Sequence, residues 1–259
     1  MWPIHYNWFG TTVDLFHIVT FLAAAIGVSV SILLLRKRVG RGTLLLPVVV
    51  LTGGVYGSRV LGGIVYDSAP LFSNVWQHAL ARGSSISILG AIVGGLLVGA
   101  GWIYARRLPL WDSLASLMPG LAVAQALGRW GCLAVGCCIG RPTTLPWAVR
   151  YPPLTRPWFQ TRGLGVHPVQ VYESIGSIVI AALLLLLWRR GRHRLVVGTY
   201  FVGQGVSRLL LEFIRVGNGR LLLGMSAAQW LSLTFIVSGS LILLRAFQSR
   251  SALVKPQTA

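Results

Sequence analysis

The sequence predicts an all-α integral membrane protein of about seven transmembrane helices, with the N-terminus outside and the C-terminus in the cytoplasm. Of its 259 residues, 54% are hydrophobic and 11% are charged, whereas an average soluble domain has about 25% charged residues. Apolar runs recur at close to the roughly 20 residues that span a hydrocarbon core. The seven runs cover residues 13–35, 43–66, 86–105, 113–131, 169–188, 195–214 and 225–244.

The positions of the basic residues predict the orientation. Clusters of arginine and lysine follow the first, third, fifth and seventh runs, and therefore lie on one side of the membrane. By the positive-inside rule that side is the cytoplasm. A net charge of +18 could otherwise indicate nucleic-acid binding, but this distribution fits membrane anchoring, and we expect no nucleic-acid partner. The clusters comprise Arg36, Lys37, Arg38 and Arg41; Arg106 and Arg107; Arg189, Arg190, Arg192 and Arg194; and Arg245, Arg250 and Lys255.

No linker, low-complexity tract or internal repeat interrupts the chain, so we expect a single polytopic membrane domain over residues 1–259. Glycines in the segments GGVYGSRVLGG and GAIVGGLLVGAG recur at the spacing that lets helices pack closely in lipid. The longest stretch between runs, residues 132–166, is rich in Pro, Arg and Trp. We expect it to form an extracytoplasmic loop whose aromatic residues lie at the bilayer surface.

The acidic residues are informative because the chain contains only five. Glu173 and Glu212 fall inside predicted spans, where an unpaired carboxylate is costly, so each is expected to have a basic partner. Arg208, Glu212 and Arg215 are spaced i, i+4 and i+7, which places them on one helical face. That face either holds a structural ion pair or presents an arginine, held by Glu212, to an anionic substrate, since guanidinium matches phosphate in bidentate geometry.

The segment HPVQVYE opens the fifth predicted span. Pro168 suits the first turn of a helix, where its missing N–H would have no partner in any case. His167, Tyr172 and Glu173 then lie at the outer end of that helix. His167 can act as a proton carrier, a common role of histidine, or it can simply cap or pack against the helix; the spacing leaves both open.

The three cysteines of the chain, Cys132, Cys137 and Cys138, are predicted on the outer side, where disulfides are stable. No second C-x-x-C or H-x-H pair accompanies them, so zinc ligation is weakly supported. We therefore expect a disulfide from Cys132 to one neighbour, with one free thiol, and no metal site.

Six segments of the sequence, taken together and in this order, resemble the prolipoprotein diacylglyceryl transferase family of seven-span bacterial inner-membrane enzymes. HPxQxYE with GRxG and RxxxEFxR is a specific combination, whereas any one of them alone would be weak. The segments are GSRVLGGIVYD at 57–67, WDSLASLMPGLAVAQALGRWGC at 111–132, GRPTTLPWAV at 140–149, HPVQVYE at 167–173, RLLLEFIR at 208–215 and GMSAAQWLS at 224–232.

The resemblance implies transfer of the diacylglyceryl group of phosphatidylglycerol to the lipobox cysteine of a prolipoprotein, at the outer face of the inner membrane. It implies that Arg129 in GRWG binds the phospholipid and that Arg208 and Glu212 form a further essential pair, with His167 as a third catalytic candidate. Substrate contacts are expected also from residues of the matching segments. Arginines stabilise a departing phosphate without a metal, so we expect no cofactor, and we expect a monomer. The additional substrate-binding candidates are Gly140, Arg141, Tyr172 and Glu173.

The sequence departs from the family at several positions of these motifs. Leu89 stands where the family has a histidine proposed as a base, and leucine cannot accept a proton. Cys132 and Cys137 replace an asparagine and a glutamate, while Gln204 and Phe16 each replace a tyrosine. Three interpretations follow: His167 takes the proton, the cysteines support a different thiol or lipid-transfer chemistry, or the chain binds or transports lipid without catalysis.

Overall fold

The computed structural model describes residues 5–8, 11–40, 43–66, 88–216 and 222–254. Helices dominate these residues, as the sequence predicts. A 3-10 helix covers Leu222–Gly224, and two short strands, β1 (His5–Trp8) and β2 (Thr11–Asp14), pair in antiparallel fashion. The α-helices are α1 (Leu15–Arg38), α2 (Leu46–Tyr66), α3 (Ile88–Ala105), α4 (Leu110–Val135), α5 (Arg156–Thr161), α6 (Val169–Arg189), α7 (His193–Glu212) and α8 (Ala227–Val254).

Each predicted apolar run coincides with a long helix, and a short strand pair, β1–β2, precedes α1. The loop after α4 begins at residue 136, a few residues later than its predicted start near 132, because the helix continues to Val135 and ends at Gly136, whose φ of +67° lies in the left-handed region. Glycine adopts that conformation without the steric cost of a side chain. Cys132 therefore belongs to the last turn of α4.

The helices of this protein are suited to a membrane. By length and composition, α1, α6 and residues Ala227–Gln248 of α8 can each cross a bilayer, and the shorter segments Leu46–Gly62 and Gly90–Ala105 are also apolar. Large apolar side chains such as Phe21, Val179 and Leu244 are exposed on the three long helices. Extended apolar surfaces of this kind are rare on soluble monomers, so these faces are expected to contact lipid.

The described chain forms two compact units, residues 32–113 and residues 1–31 with 114–259. In the smaller unit, α2 and α3 pack with their backbones in close contact at glycines. A Cβ atom at Gly57 would collide with the carbonyl oxygen of Gly90, and one at Gly94 would collide with that of Gly53. The close helix packing predicted from the glycine spacing is confirmed.

In the larger unit, buried polar side chains link α4 to α6 and α7. Ser174 Oγ donates to the carbonyl oxygen of Ala126 (2.8 Å), and Trp188 Nε1 donates to Ser116 Oγ (3.2 Å). Tyr200 Oη donates to Gln125 Oε1 (3.2 Å). Because unsatisfied polar groups are costly in an apolar surrounding, these bonds specify which faces of the three helices meet. They place α4, α6 and α7 side by side.

We predict opposite effects on stability for two alanine substitutions in α3. Gly94→Ala should destabilise the protein by about 1–3 kcal/mol, the usual cost of overpacking, because its Cβ meets the backbone of α2. Gly101→Ala is the matched control: a Cβ at Gly101 has no atom within 4 Å, and alanine raises helix propensity by up to about 1 kcal/mol. Thermal unfolding in detergent micelles measures both. Equal melting temperatures for the two variants would contradict the close packing of α2 and α3.

Candidate active site

Glu173, near the start of α6, is a buried carboxylate that contacts three arginines. Its carboxylate forms ion pairs with Arg129 Nε of α4 at 2.8 Å, with Arg208 Nη1 of α7 at 3.3 Å and with Arg215 Nη1 at 3.5 Å. A carboxylate buried in this way is stabilised by its cations, because either charge alone would be costly to bury. The prediction that Glu173 requires a basic partner is confirmed, and the carboxylate joins two helices and the segment that follows α7.

Glu212, at the end of α7, holds the other side of Arg208. Arg208 Nη2 lies 3.1 Å from Glu212 Oε2, and Ser226 Oγ donates to Glu212 Oε1 at 2.6 Å. Ser226 also caps α8: its hydroxyl accepts from the Gln229 amide, and the Gln229 side chain accepts from the Ser226 amide. This reciprocal arrangement is a capping box, and the sequence SAAQ is its signature, so Ser226 could have been found from the sequence.

Arg215 reaches the cluster by a different route from the one predicted. Helix α7 ends at Glu212, so the prediction that Arg208, Glu212 and Arg215 share one helical face is wrong for Arg215. The segment after α7 instead pairs with the loop after α4: the Arg141 amide donates to the Ile214 carbonyl at 2.7 Å, and the Val216 amide donates to the Ile139 carbonyl at 3.1 Å. This pairing directs Arg215 back to Glu173.

We call Arg129, Glu173, Arg208, Glu212 and Arg215 the ionic cluster. Three arginines and two glutamates leave one net positive charge within it. The side chains of Arg129 and Arg208 are 24% and 27% exposed, whereas those of both glutamates are 7% exposed or less. An anion can therefore approach the two arginines but not the carboxylates. Guanidinium groups fixed in this way are well suited to bind phosphate.

The three cysteines gather beside the ionic cluster. At the end of α4, the Gly136 amide donates to the Leu133 carbonyl and the Cys137 amide to the Cys132 carbonyl, which is a Schellman motif. This turn brings Cys137 back over Cys132, and the Sγ atoms of all three cysteines lie within 4.8 Å of one another. All three are free thiols, so the structure does not show the disulfide expected from Cys132.

The thiols of Cys137 and Cys138 differ in acidity because their surroundings differ. Hydrogen bonds from the thiols of Cys132 and Cys137, with the nearby positive charges of Arg215 and Arg129, hold the pKa of Cys138 below its ordinary value. The pKa of Cys137 is raised, because its proton is shared with Cys132 and Cys138 and the thiol is partly desolvated. Arg129 Nη1 lies 3.9 Å from Cys138 Sγ. Within the residues whose side chains are described, these thiols are the group with the right chemistry and spacing for a soft metal ion.

His167 and Tyr172 form a separate chain of polar side chains. Trp147 Nε1 donates to Tyr172 Oη at 2.7 Å, and His167 Nδ1 lies 3.5 Å from the same oxygen. Since Tyr172 Oη accepts from Trp147, its own proton is free to be donated to His167 Nδ1. Among the described side chains, His167 makes no hydrogen bond to the arginines of the cluster. The catalytic role predicted for His167 stays a prediction.

Gly140 and Arg141 lie where the loop after α4 passes between two other segments. The Arg141 carbonyl accepts from the His167 amide at 3.1 Å, and a Cβ atom at Gly140 would collide with the carbonyl oxygen of His167. The absence of a side chain at Gly140 thus permits a close approach of backbones. The Arg141 side chain is exposed. Leu89 lies in the first turn of α3, but its side chain is outside the described residues.

We predict that Glu173→Gln destabilises the protein more than Glu212→Gln. Removing one partner of a buried ion pair costs about 3 kcal/mol or more. Glu173 forms ion pairs with three arginines, and Glu212 forms one with Arg208, which Glu173 also binds. Both substitutions preserve side-chain size, so each serves as the control for the other. Thermal unfolding in detergent compares them, and a larger loss for Glu212→Gln would show that Glu173 is not the centre of the cluster.

Comparison with known proteins identifies the family. The sequence model of the family described as prolipoprotein diacylglyceryl transferase matches residues 3–245. A phosphatidylglycerol–prolipoprotein diacylglyceryl transferase of Trichormus variabilis is 33% identical over 252 residues, which cover 92% of this chain and 84% of that protein. The protein of the same name from Clostridium tetani is 32% identical over 228 residues, covering 83% of this chain and 87% of that protein. The family model covers nearly the whole chain, and this chain therefore belongs to the prolipoprotein diacylglyceryl transferase family.

Proposed function

We propose that this protein transfers the diacylglyceryl group of phosphatidylglycerol to the lipobox cysteine of prolipoproteins, at the outer face of the bacterial inner membrane. The relatives from Trichormus variabilis and Clostridium tetani are named for this activity. The observation that carries the proposal for this chain is the ionic cluster, which has one uncompensated positive charge on arginines that an anion can reach. A phosphodiester headgroup supplies one negative charge and fits that requirement.

The reaction is an alkylation of sulfur. The lipobox thiol loses its proton, the sulfur forms a bond to a glyceryl carbon, and the bond from that carbon to the phosphate oxygen breaks. The electron pair leaves with glycerol phosphate. The phosphate changes from a diester with one negative charge to a monoester with nearly two. Groups that stabilise this additional charge act more strongly on the transition state than on the bound lipid, and so accelerate the reaction.

Arg129 and Arg208 are the residues proposed to bind the phosphate. Their guanidinium groups are held from opposite sides of one carboxylate, with Arg129 Nε and Arg208 Nη1 on Glu173, which leaves other N–H groups of each free to donate. Glu212 fixes the second edge of Arg208. Arginines fixed before the substrate arrives need little reorganisation during the reaction, which is the condition for electrostatic stabilisation. Glu173 and Glu212 are thus positioning residues.

The remaining predicted site residues are proposed to act at the edge of this cluster. His167, with Tyr172, assists proton removal at the outer face, since the two groups form a short relay. Gly140 permits the loop to approach the start of α6, and Arg141 presents an exposed cation near the headgroup. Departure of the phosphate itself requires no cofactor, because the arginines supply the positive charge.

The arrangement in the membrane is proposed to be that of a monomeric single domain with seven transmembrane helices. The N-terminus and the loop from residue 136 to about 166 lie outside, and the C-terminus lies in the cytoplasm. This topology puts the C-terminal end of α4 and the N-terminal end of α6 at the outer surface. Arg129 and Glu173 are then close to the phosphate region of the outer leaflet. Helix α4 carries Arg129, and helix α7 carries Arg208 and Glu212.

A covalent route through the cysteines is the rival within enzymes. If Cys138 displaced the phosphate, the diacylglyceryl group would be joined to the enzyme by a thioether. A thiolate is a poor leaving group from an alkyl carbon, so a second thiol could not readily displace it and the enzyme would be trapped after one turnover. Direct transfer to the lipobox thiol avoids this intermediate. The non-enzymatic rival, lipid binding or transport, predicts binding of phosphatidylglycerol without transfer to any acceptor.

We predict that Arg129→Ala abolishes diacylglyceryl transfer. Loss of one fixed donor to a developing anion typically lowers the rate by about 100- to 1000-fold, and Arg129 also neutralises Glu173. The measurement is complementation of a strain depleted of its own transferase, with lipidation of a reporter lipoprotein read as a mass shift. The same variant is assayed in detergent with phosphatidylglycerol and a lipobox peptide.

Arg150→Ala is the matched control for this experiment, because Arg150 is an exposed arginine of the loop after α4 and lies outside the ionic cluster. It should retain transfer. Near-normal transfer by a folded Arg129→Ala protein would refute the role given to Arg129. Failure of the unaltered chain to lipidate the reporter, with normal membrane expression, would refute the proposed function.

We predict the orientation from reporter fusions. Alkaline phosphatase, which is active only outside the cytoplasm, should be active when inserted after Pro153 in the loop and inactive when fused after Gly191, between α6 and α7. Green fluorescent protein should show the opposite pattern at the same two sites. Phosphatase activity at both sites, or the reverse pattern, would show that the proposed topology is wrong.

A further inference from the structure

We propose that Cys132, Cys137 and Cys138 form a three-thiolate zinc site whose open fourth position binds the lipobox thiol of the acceptor. The proposal rests on the proposed function, since it assigns to the metal the activation of the acceptor in that reaction. It departs from the expectation, made from the sequence, that no cofactor takes part. The sequence lacked a second ligand pair, whereas the fold brings three sulfurs to one place.

The spacing of the sulfurs carries the proposal. The three Sγ atoms lie within 4.8 Å of one another. Tetrahedral zinc with bonds of about 2.3 Å to sulfur places its ligand atoms roughly 3.8 Å apart. A change of about 1 Å is within reach of small side-chain rotations, so the thiols can close on an ion without a change in the backbone.

The backbone that carries the ligands is fixed at several points. The Schellman motif places Cys137 beside Cys132, Gln170 Nε2 donates to the Cys137 carbonyl, and the next residues pair with the segment after α7. Cys138 adopts φ +61°, a strained conformation for a residue with a side chain. Such strain persists only where the surrounding structure imposes it, and it often marks functional sites. The ligands are thus held by the fold rather than by a free loop.

The charge of the surroundings favours bound thiolates. Three thiolates and one zinc ion carry a net charge of −1, which is costly at a partly buried position unless cations lie nearby. Arg129 Nη1 lies 3.9 Å from Cys138 Sγ. Outer contacts of this kind orient and stabilise metal ligands. Cys137 is exposed, so an acceptor can reach the site.

An open zinc site would remove the proton of the acceptor thiol, which Leu89 cannot do. Three protein ligands with a fourth position for substrate are typical of catalytic zinc, and a thiol that binds zinc loses its proton. The proton passes to water when the lipobox thiol binds. The thiolate lone pair then forms the carbon–sulfur bond, the carbon–oxygen bond breaks, and its electron pair leaves with glycerol phosphate at Arg129 and Arg208. No histidine at position 89 is required for this sequence of steps.

The first experiment measures metal binding alone. Full-length protein, purified in detergent, reduced and freed of metal, is titrated with Co²⁺ as a coloured substitute for zinc. We expect one Co²⁺ per chain with the intense absorption of tetrahedral cobalt thiolate, displaced by Zn²⁺. Each of three single variants removes a direct ligand: Cys132→Ser, Cys137→Ser and Cys138→Ser. Loss of an outer contact weakens metal binding by up to about 100-fold, so loss of a direct ligand should weaken Zn²⁺ binding by at least that factor. Arg150→Ala should bind Co²⁺ normally.

The second experiment tests the open position. A lipobox peptide should shift the Co²⁺ absorption, whereas the same peptide with serine in place of its cysteine should not. Absence of cobalt thiolate absorption from the unaltered protein would overturn the metal site. The metal site would also be overturned if protein prepared without reductant contains a disulfide, detected as a mass loss of two hydrogen atoms, and still transfers diacylglyceryl at the normal rate. Equal shifts with both peptides would overturn the role of the fourth position.

Parallel assays of transfer keep this proposal distinguishable from the proposed function. Transfer by chelator-treated protein at the rate of the zinc-loaded protein, with no Co²⁺ bound, would overturn the zinc site and leave the proposed function intact. Co²⁺ binding and the peptide-dependent shift without transfer of diacylglyceryl under any loading would refute the proposed function instead. The expected result is transfer that is lost with chelator and restored by Zn²⁺.

Discussion

The buried carboxylate of Glu173 is the contact on which the rest of the site depends. It receives Arg129 from α4, Arg208 from α7 and Arg215 from the segment beyond α7. A carboxylate at this depth requires cations, and three arginines close together repel one another unless an anion lies between them. Each group therefore stabilises the others, and together they fix the neighbouring ends of α4, α6 and α7. The lipid phosphate is proposed to bind Arg129 and Arg208 on the side that the carboxylates leave open.

The same contacts connect the ionic cluster to the thiols. Arg129 contacts both Glu173 and Cys138, and the pairing of residues 139–141 with 214–216 places Arg215 beside Glu173. The proposed phosphate site and the proposed thiolate site are therefore neighbours. In an alkylation of sulfur, the leaving phosphate and the attacking thiolate lie on opposite sides of one carbon, so two adjacent sites of this kind suit the proposed reaction.

Much of the fold follows from the sequence, and much of the site does not. Apolar runs predicted the long helices, because the length of such a run reflects the thickness of a bilayer. The cost of burying Glu173 and Glu212 predicted that each has a basic partner. The convergence on Glu173 could not be predicted, because it depends on how α4 and α6 pack and on an irregular pairing after α7. Proximity of the three thiols likewise depends on the turn at Gly136, whose left-handed conformation the sequence permits but does not require.

The most direct test of the account is a structure of the protein with phosphatidylglycerol bound. The account predicts the headgroup phosphate within about 2.7–2.9 Å of guanidinium nitrogens of both Arg129 and Arg208, the distance of a charge-assisted hydrogen bond, with Glu173 still between the two arginines. A phosphate bound elsewhere, with the ionic cluster closed and unchanged beside it, would contradict the claim that the uncompensated charge of the cluster is the lipid-binding site.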